Sequence, residues 1–195
     1  MKRLSIFGVL MLLMVVFSAC ATPSGLQLST SSSPSANPSS SVSPSSTFGS
    51  EPNWGKPTKT TGCQANGALQ DQACTPGDII PDATKDKICV SGYAGTVRNV
   101  TQSTKNQVFA EYGVVTHTAS QYEVDHLVSL ELGGSNDISN LWPEPASPKP
   151  GFHEKDRVEN YLHSQVCNGS IDLRQAQIEI ATNWLAVYNS MPSSA

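Results

Sequence analysis

Between Arg3 and Glu51 the chain carries no charged residue, an interval of 47. A stretch that long without charge does not supply the polar surface of a soluble domain. Whatever folds must lie beyond it. From Glu51 to Ala195, 26 of 145 residues are charged, which is within reach of an ordinary small domain. That part holds 10 basic and 16 acidic residues, a net charge of −6. Such a balance excludes a binder held to nucleic acid by a broad basic surface. Activity on nucleic acid would need a local site.

The uncharged interval has two parts. Lys2 and Arg3 precede an apolar run from Leu4 to Phe17. The run is shorter than the roughly 20 residues of a membrane span and reads as the core of an export signal. Phe17-Ser18-Ala19-Cys20 resembles a bacterial lipobox, which implies lipidation of Cys20 and an anchor at the outer face of a membrane. Ala19-Cys20-Ala21 also reads as a plain cleavage site, which implies simple secretion. Thr22 to Ser50 holds 13 Ser, 4 Pro and 3 Thr among 29 residues. This composition cannot bury apolar surface and predicts a disordered tether. The expected organisation is residues 1–20 signal, 21–58 tether and 59–192 folded domain.

Setting Cys20 aside, four cysteines remain: Cys63, Cys74, Cys89 and Cys167. An even count in an exported chain predicts two disulfides, with three possible connectivities. The favoured pairing is Cys63–Cys74 and Cys89–Cys167. No CxxC pair suggests a zinc knuckle.

Hydrophobic patterning predicts an α+β domain. Ile88 to Val100 reads as a short hairpin and Gln102 to Tyr112 as a helix. Tyr122 to Leu132 reads as a strand, and Ile138 to Trp142 as a second one. Two helices follow, from about His153 to Cys167 and from the Asp172 N-cap to about Asn189. Val158, Leu162 and Val166 mark the apolar stripe of the first. Ala176, Ile180 and Trp184 mark that of the second.

Chemistry concentrates between Tyr122 and His153. Asp125-His126 lie side by side in the expected strand, Gly133-Gly134 follows, then Asn140-Leu141, then His153. Asp125 and His126 can serve one site only if the strand ends or twists there, because neighbouring strand residues face opposite ways. The ordered set resembles the HNH endonuclease family, whose core is the ββα-metal fold. Cys74-Thr-Pro-Gly77, Ile88-Cys-Val-Ser-Gly-Tyr93 and Lys155-Asp156 also look like exported bacterial HNH proteins. The resemblance implies a metal-dependent endonuclease acting outside the cytoplasm, on DNA in preference to RNA. It assigns His126 as general base and Asn140 as the residue that braces the loop. It assigns Asp125 and His153 as ligands of one divalent ion (Mg²⁺, Mn²⁺ or Zn²⁺), with Asp156 as a substitute ligand. Lys155 and Arg157 are candidate phosphate contacts at a helix start. Trp142 is expected in the core, and His117 and His163 on the surface.

The competing reading is a non-catalytic envelope lipoprotein module that keeps the fold and binds another partner. A glycosidase pair of Glu123 and Glu131 fails on distance. Eight strand residues separate them by about 26 Å, beyond any retaining or inverting pair.

Overall fold

The computed structural model describes residues 50–118 and 120–193. The leader, Cys20 and the tether up to residue 49 lie outside the described residues. The domain is α+β: a two-stranded antiparallel sheet with five helices. They are α1 (Lys85–Ile88), α2 (Tyr93–Val97), α3 (Gln102–Glu111), β1 (Tyr122–His126), β2 (Leu141–Pro145), α4 (Phe152–Asn168) and α5 (Leu173–Ser190).

Ordered structure begins before the expected boundary at residue 59. The Gly55 amide bonds the Gly77 carbonyl, and the Thr58 amide bonds the Ala73 carbonyl. Trp54 packs against the core with the Arg174 guanidinium 4.7 Å over its ring, and Arg174 pairs with Glu51. An indole and its cationic cover outweigh the small polar residues around them, so residues 51–58 belong to the domain rather than the tether.

Both disulfides have the favoured pairing. Cys63–Cys74 and Cys89–Cys167 hold their Cα atoms 6.0 and 5.6 Å apart. The second ties the end of α1 to the end of α4. Such bridges accord with an oxidising compartment. Among the described residues no helix is long and apolar enough to cross a membrane.

Two elements differ from expectation. Ile88 to Val100 is not a hairpin but the end of α1 followed by α2. Helices of four and five residues are too short to show a 3.6-residue period, so the β-branched residues dominated the reading. The strand expected over residues 122–132 stops at His126. Leu130–Leu132 is a 3-10 turn, and Leu127, Val128, Leu130 and Leu132 are all buried. Similarly, Ile138–Asn140 is a 3-10 turn, and β2 runs on through two prolines. Pro143 and Pro145 stand opposite Val124 and Tyr122. The cross-strand bonds fall on the alternate residues, as the Leu127–Asn140 and Ala146–Gln121 pairs show. Neither proline therefore removes a ladder donor.

The helices α4 and α5 follow their predicted stripes. Val158, Leu162 and Val166 pack with Ala176, Ile180 and Trp184 around the fully buried Trp142. Gly169 ends α4 at φ 84°, a left-handed cap that suits glycine. Asp172 caps α5 by accepting the Arg174 amide at 2.8 Å. In chain order β1, β2 and α4 form a strand–strand–helix unit.

Candidate functional site

The loop between the strands is built around Asn140. Its Oδ1 accepts the Val128 amide at 2.9 Å and the Asp78 amide at 3.3 Å. Its Nδ2 donates to the Val128 carbonyl at 3.0 Å and the Ser135 carbonyl at 2.9 Å. Asn140 thus spends its whole hydrogen-bonding capacity on bracing the loop. The double glycine is needed for the same closeness. A Cβ on Gly134 would run into the Val128 carbonyl oxygen, and Gly133 sits at φ 75°.

At the end of β1, Asp125 and His126 face opposite ways. His126 shares a face with Tyr122 and Val124, and with them it lines a cleft of about 440 Å³. Arg98, Lys105, Phe109, His117 and Phe152 complete most of the wall. His126 is only 3% exposed and forms the floor. A larger hollow of about 730 Å³, between the Ile79–Lys85 segment and the start of α5, contains none of the expected site residues.

Asn136 sets the state of the His126 ring. Its Nδ2 donates to the Val97 carbonyl at 2.8 Å, and its Oδ1 accepts the Asn99 amide at 3.0 Å. That oxygen also lies 3.2 Å from His126 Nε2. The Asn136 oxygen can only accept, so Nε2 carries the proton and Nδ1 is left as the basic nitrogen. Burial pushes the imidazole below its ordinary value of 6.5, and the pull of Asp125 and Asn136 in the other direction only partly offsets it. The ring is neutral near pH 7, as a base must be.

Asp125 faces the other side, toward α4. Its Oδ2 lies 2.6 Å from the Lys155 ammonium, which also donates to the His126 carbonyl at 2.8 Å and pairs with Glu159. Lys155 is fully buried. It is not placed as the phosphate contact expected from its helix-start position. Burial alone would lower its value, but Asp125, Glu159 and Glu144 hold it above the ordinary lysine range. Glu144 is fully buried, and neither of its carboxyl oxygens has a donor. Burial pushes it well above the carboxylate range, the Lys155 charge only partly opposing this and the neighbouring Asp125 adding to it, which favours its protonated form. Burial raises Asp125 too, but the Lys155 charge and these hydrogen bonds leave it below its ordinary value. Glu159 is pushed up to about 8, by burial first.

His153 is placed apart from this cluster. Its side chain is 69% exposed, its Nδ1 lies 4.0 Å from Asp156, and its ring rests on Phe152. Phe152, not His153, walls the cleft. Asp125 is thus bonded to a buried ammonium, while His153 is exposed beside Asp156. Among the described residues, the three potential ligands close enough to share an ion are Cys89, His163 and Cys167, and both cysteines are bridged. His163 is half-buried there, bonded to the Ile88 carbonyl at 3.1 Å. Arg157 lies on α4 with its guanidinium 5.6 Å from the Tyr188 ring centroid, toward α5.

Four site residues were not singled out by the sequence: Arg98, Lys105, His117 and Asn136. His117 was expected at the surface. It is exposed, but its ring stacks on Phe109 at 3.9 Å and walls the cleft. Asn136 carried one signal, its place two residues after the glycines, since a buried histidine needs a partner. Arg98 and Lys105 come from α2 and α3, at no fixed spacing from the motif.

No family model, no curated protein and no solved structure matches this chain.

Proposed function

We propose that the domain hydrolyses phosphodiester bonds of nucleic acid outside the cytoplasm, as an HNH-like endonuclease with His126 as general base. The observation that carries this is the neutral imidazole at the floor of a cleft whose wall holds Arg98 and Lys105. A phosphate drawn to the two cations comes to rest over His126. Nδ1 takes a proton from a water, and the water oxygen forms a bond to phosphorus. The ester P–O bond opposite breaks, and the departing oxygen takes a proton from solvent. Arg98 and Lys105 balance the charge that grows on the phosphoryl oxygens. Asn136 and Asn140 hold the base and its loop in place.

The strand–strand–helix order, the braced glycine loop and the base position support an HNH-like core. The ligand pair assigned by the resemblance has less support, because Lys155 bonds Asp125 and His153 is exposed beside Asp156. No step is assigned to a divalent ion. The leader supports export, and Cys20 supports a lipid anchor at the outer face of a membrane.

The test is cleavage of plasmid and oligonucleotide DNA and of RNA by the purified protein. It is run with Mg²⁺, Mn²⁺, Zn²⁺ and EDTA, beside His126→Ala. Cleavage by wild type and its loss in the variant support the reading. No cleavage under any of these conditions removes it.

A further inference from the structure

The geometry points to a narrower substrate: an unpaired nucleic-acid strand, with a base against the aromatic wall of the cleft and its phosphate between Arg98 and Lys105. This rests on the phosphodiesterase reading and specifies what that site accepts.

Three observations carry it. The first is depth. His126 is 3% exposed, at the floor of a cleft of about 440 Å³. That is near the lower end of the roughly 300–1,000 Å³ that small-molecule pockets span. A scissile phosphate reaches the base only if the chain carrying it can enter. A single strand is thin enough to enter, whereas a duplex holds its phosphates on a wide, stiff cylinder.

The second is the wall. His117 stacks on Phe109 with centroids 3.9 Å apart, and Tyr122 meets both rings edge-on at 6.4 to 6.5 Å. Phe152 is the fourth ring. Aromatic faces hold bases that are free to stack, and in a duplex those base faces are already covered. A second hollow of about 450 Å³ shares the Phe109–His117 stack and has the 90% exposed Val115 in its wall. The stack therefore divides two neighbouring seats, an arrangement that suits successive bases of an extended strand.

The third is charge. The region from Glu51 onward is net −6, and Lys155 is sealed inside. Glu123 lies in the same cleft. Duplex binding relies on many phosphate contacts, which this surface does not supply. Stacking does not need them.

The experiment compares a fluorescent 12-mer of thymidylate, alone and annealed to its complement. Binding is read by anisotropy with His126→Ala, cleavage with wild type. Hydrolysis of bis(4-nitrophenyl) phosphate by wild type reads the chemistry without a base to seat. The single strand is expected to bind and be cut at least about tenfold better than the duplex, and Phe109→Leu to reduce single-strand binding about tenfold. With two phosphate contacts, log K should fall against log salt with a slope of about −1.4. Equal or better use of the duplex, or unchanged binding in Phe109→Leu, overturns the inference even if the small ester is hydrolysed. Preferential single-strand binding with neither ester nor oligonucleotide cleaved upholds the strand site and removes the enzyme reading instead.

Discussion

The Lys155 ammonium lies 2.6 Å from Asp125 Oδ2 with none of its side chain exposed, so a buried ion pair joins α4 to the end of β1. Glu159 of the same helix and the protonated Glu144 of β2 complete the cluster. A buried ion pair is often no more stabilising than an apolar replacement of the whole group. Removing one partner is different, because the other charges stay buried without compensation. Lys155→Met should destabilise the domain by about 3–5 kcal/mol. Chemical denaturation measures this, and a loss under about 1 kcal/mol would show that the cluster does not hold the helix to the sheet.

The same cluster gives stability a pH slope. Glu159 has a folded-state value raised from 4.5 to about 8, and Glu144 is raised as well. The protonated forms favour the folded chain. The Glu159 contribution is complete below pH 4.5 and is lost as pH rises through about 8, and that of Glu144 has the same sign. Asp125 has the opposite sign, but its contribution is lost only on acidification below its ordinary 3.8. Melting temperature should therefore fall from pH 5 to pH 9, and Glu159→Gln should flatten that fall. A temperature that rises over this range, or a variant with the wild-type slope, would contradict the assignment.

Activity should show its own pH limb. His126 must be neutral to accept a proton, and burial sets its value below 6.5. The acid limb of the rate profile should have its midpoint under 6.5, and His126→Ala should lose roughly 10²–10⁴-fold in rate with the fold retained. Single-turnover rates from pH 4 to 8 test both, and circular dichroism checks the fold.

Asn140 makes four hydrogen bonds, three of them at 3.0 Å or less. Asn140→Ala strands buried backbone groups on both sides of the loop and should cost about 3 kcal/mol. It should also lower activity at temperatures where the variant is still folded, because the loop carries Asn136. An active variant of wild-type stability would mean that the loop holds itself without the amide.

The two bridges should differ in weight. Cys89–Cys167 spans 78 residues and Cys63–Cys74 spans 11. Loop-entropy reasoning gives about 4.5 kcal/mol for the longer and about 3 for the shorter. Pairwise serine replacement followed by denaturation measures each, and the Cys89/Cys167 double variant should be the less stable.

Part of this was legible in the chain and part was not. Four cysteines beyond a leader-like segment led to the correct pairs because a short local loop and a long tie were the natural combination. The helices α4 and α5 declared themselves through long stripes that end at Gly169 and begin at Asp172. Asn140 was readable as a brace only through the resemblance to the HNH family, which assigns that position to the loop. Lys155 was not readable. A lysine one turn into a helix looks solvated, and only the approach of Asp125 from β1 and Glu144 from β2 explains its burial. The cleft was hidden for the same reason. Its cations and rings come from the end of α2, from α3, from the segment before β1, from β1 and from the start of α4, and no spacing in the sequence brings them together.

Every residue that lines the cleft, from Arg98 to Phe152, lies between Cys89 and Cys167. The whole cleft is thus enclosed in a single covalent ring. With Cys89 and Cys167 reduced, that ring is open and the cleft is less stable. Closure in an oxidising space completes it. The stability of the cleft is therefore tied to the redox state of one bond at its edge.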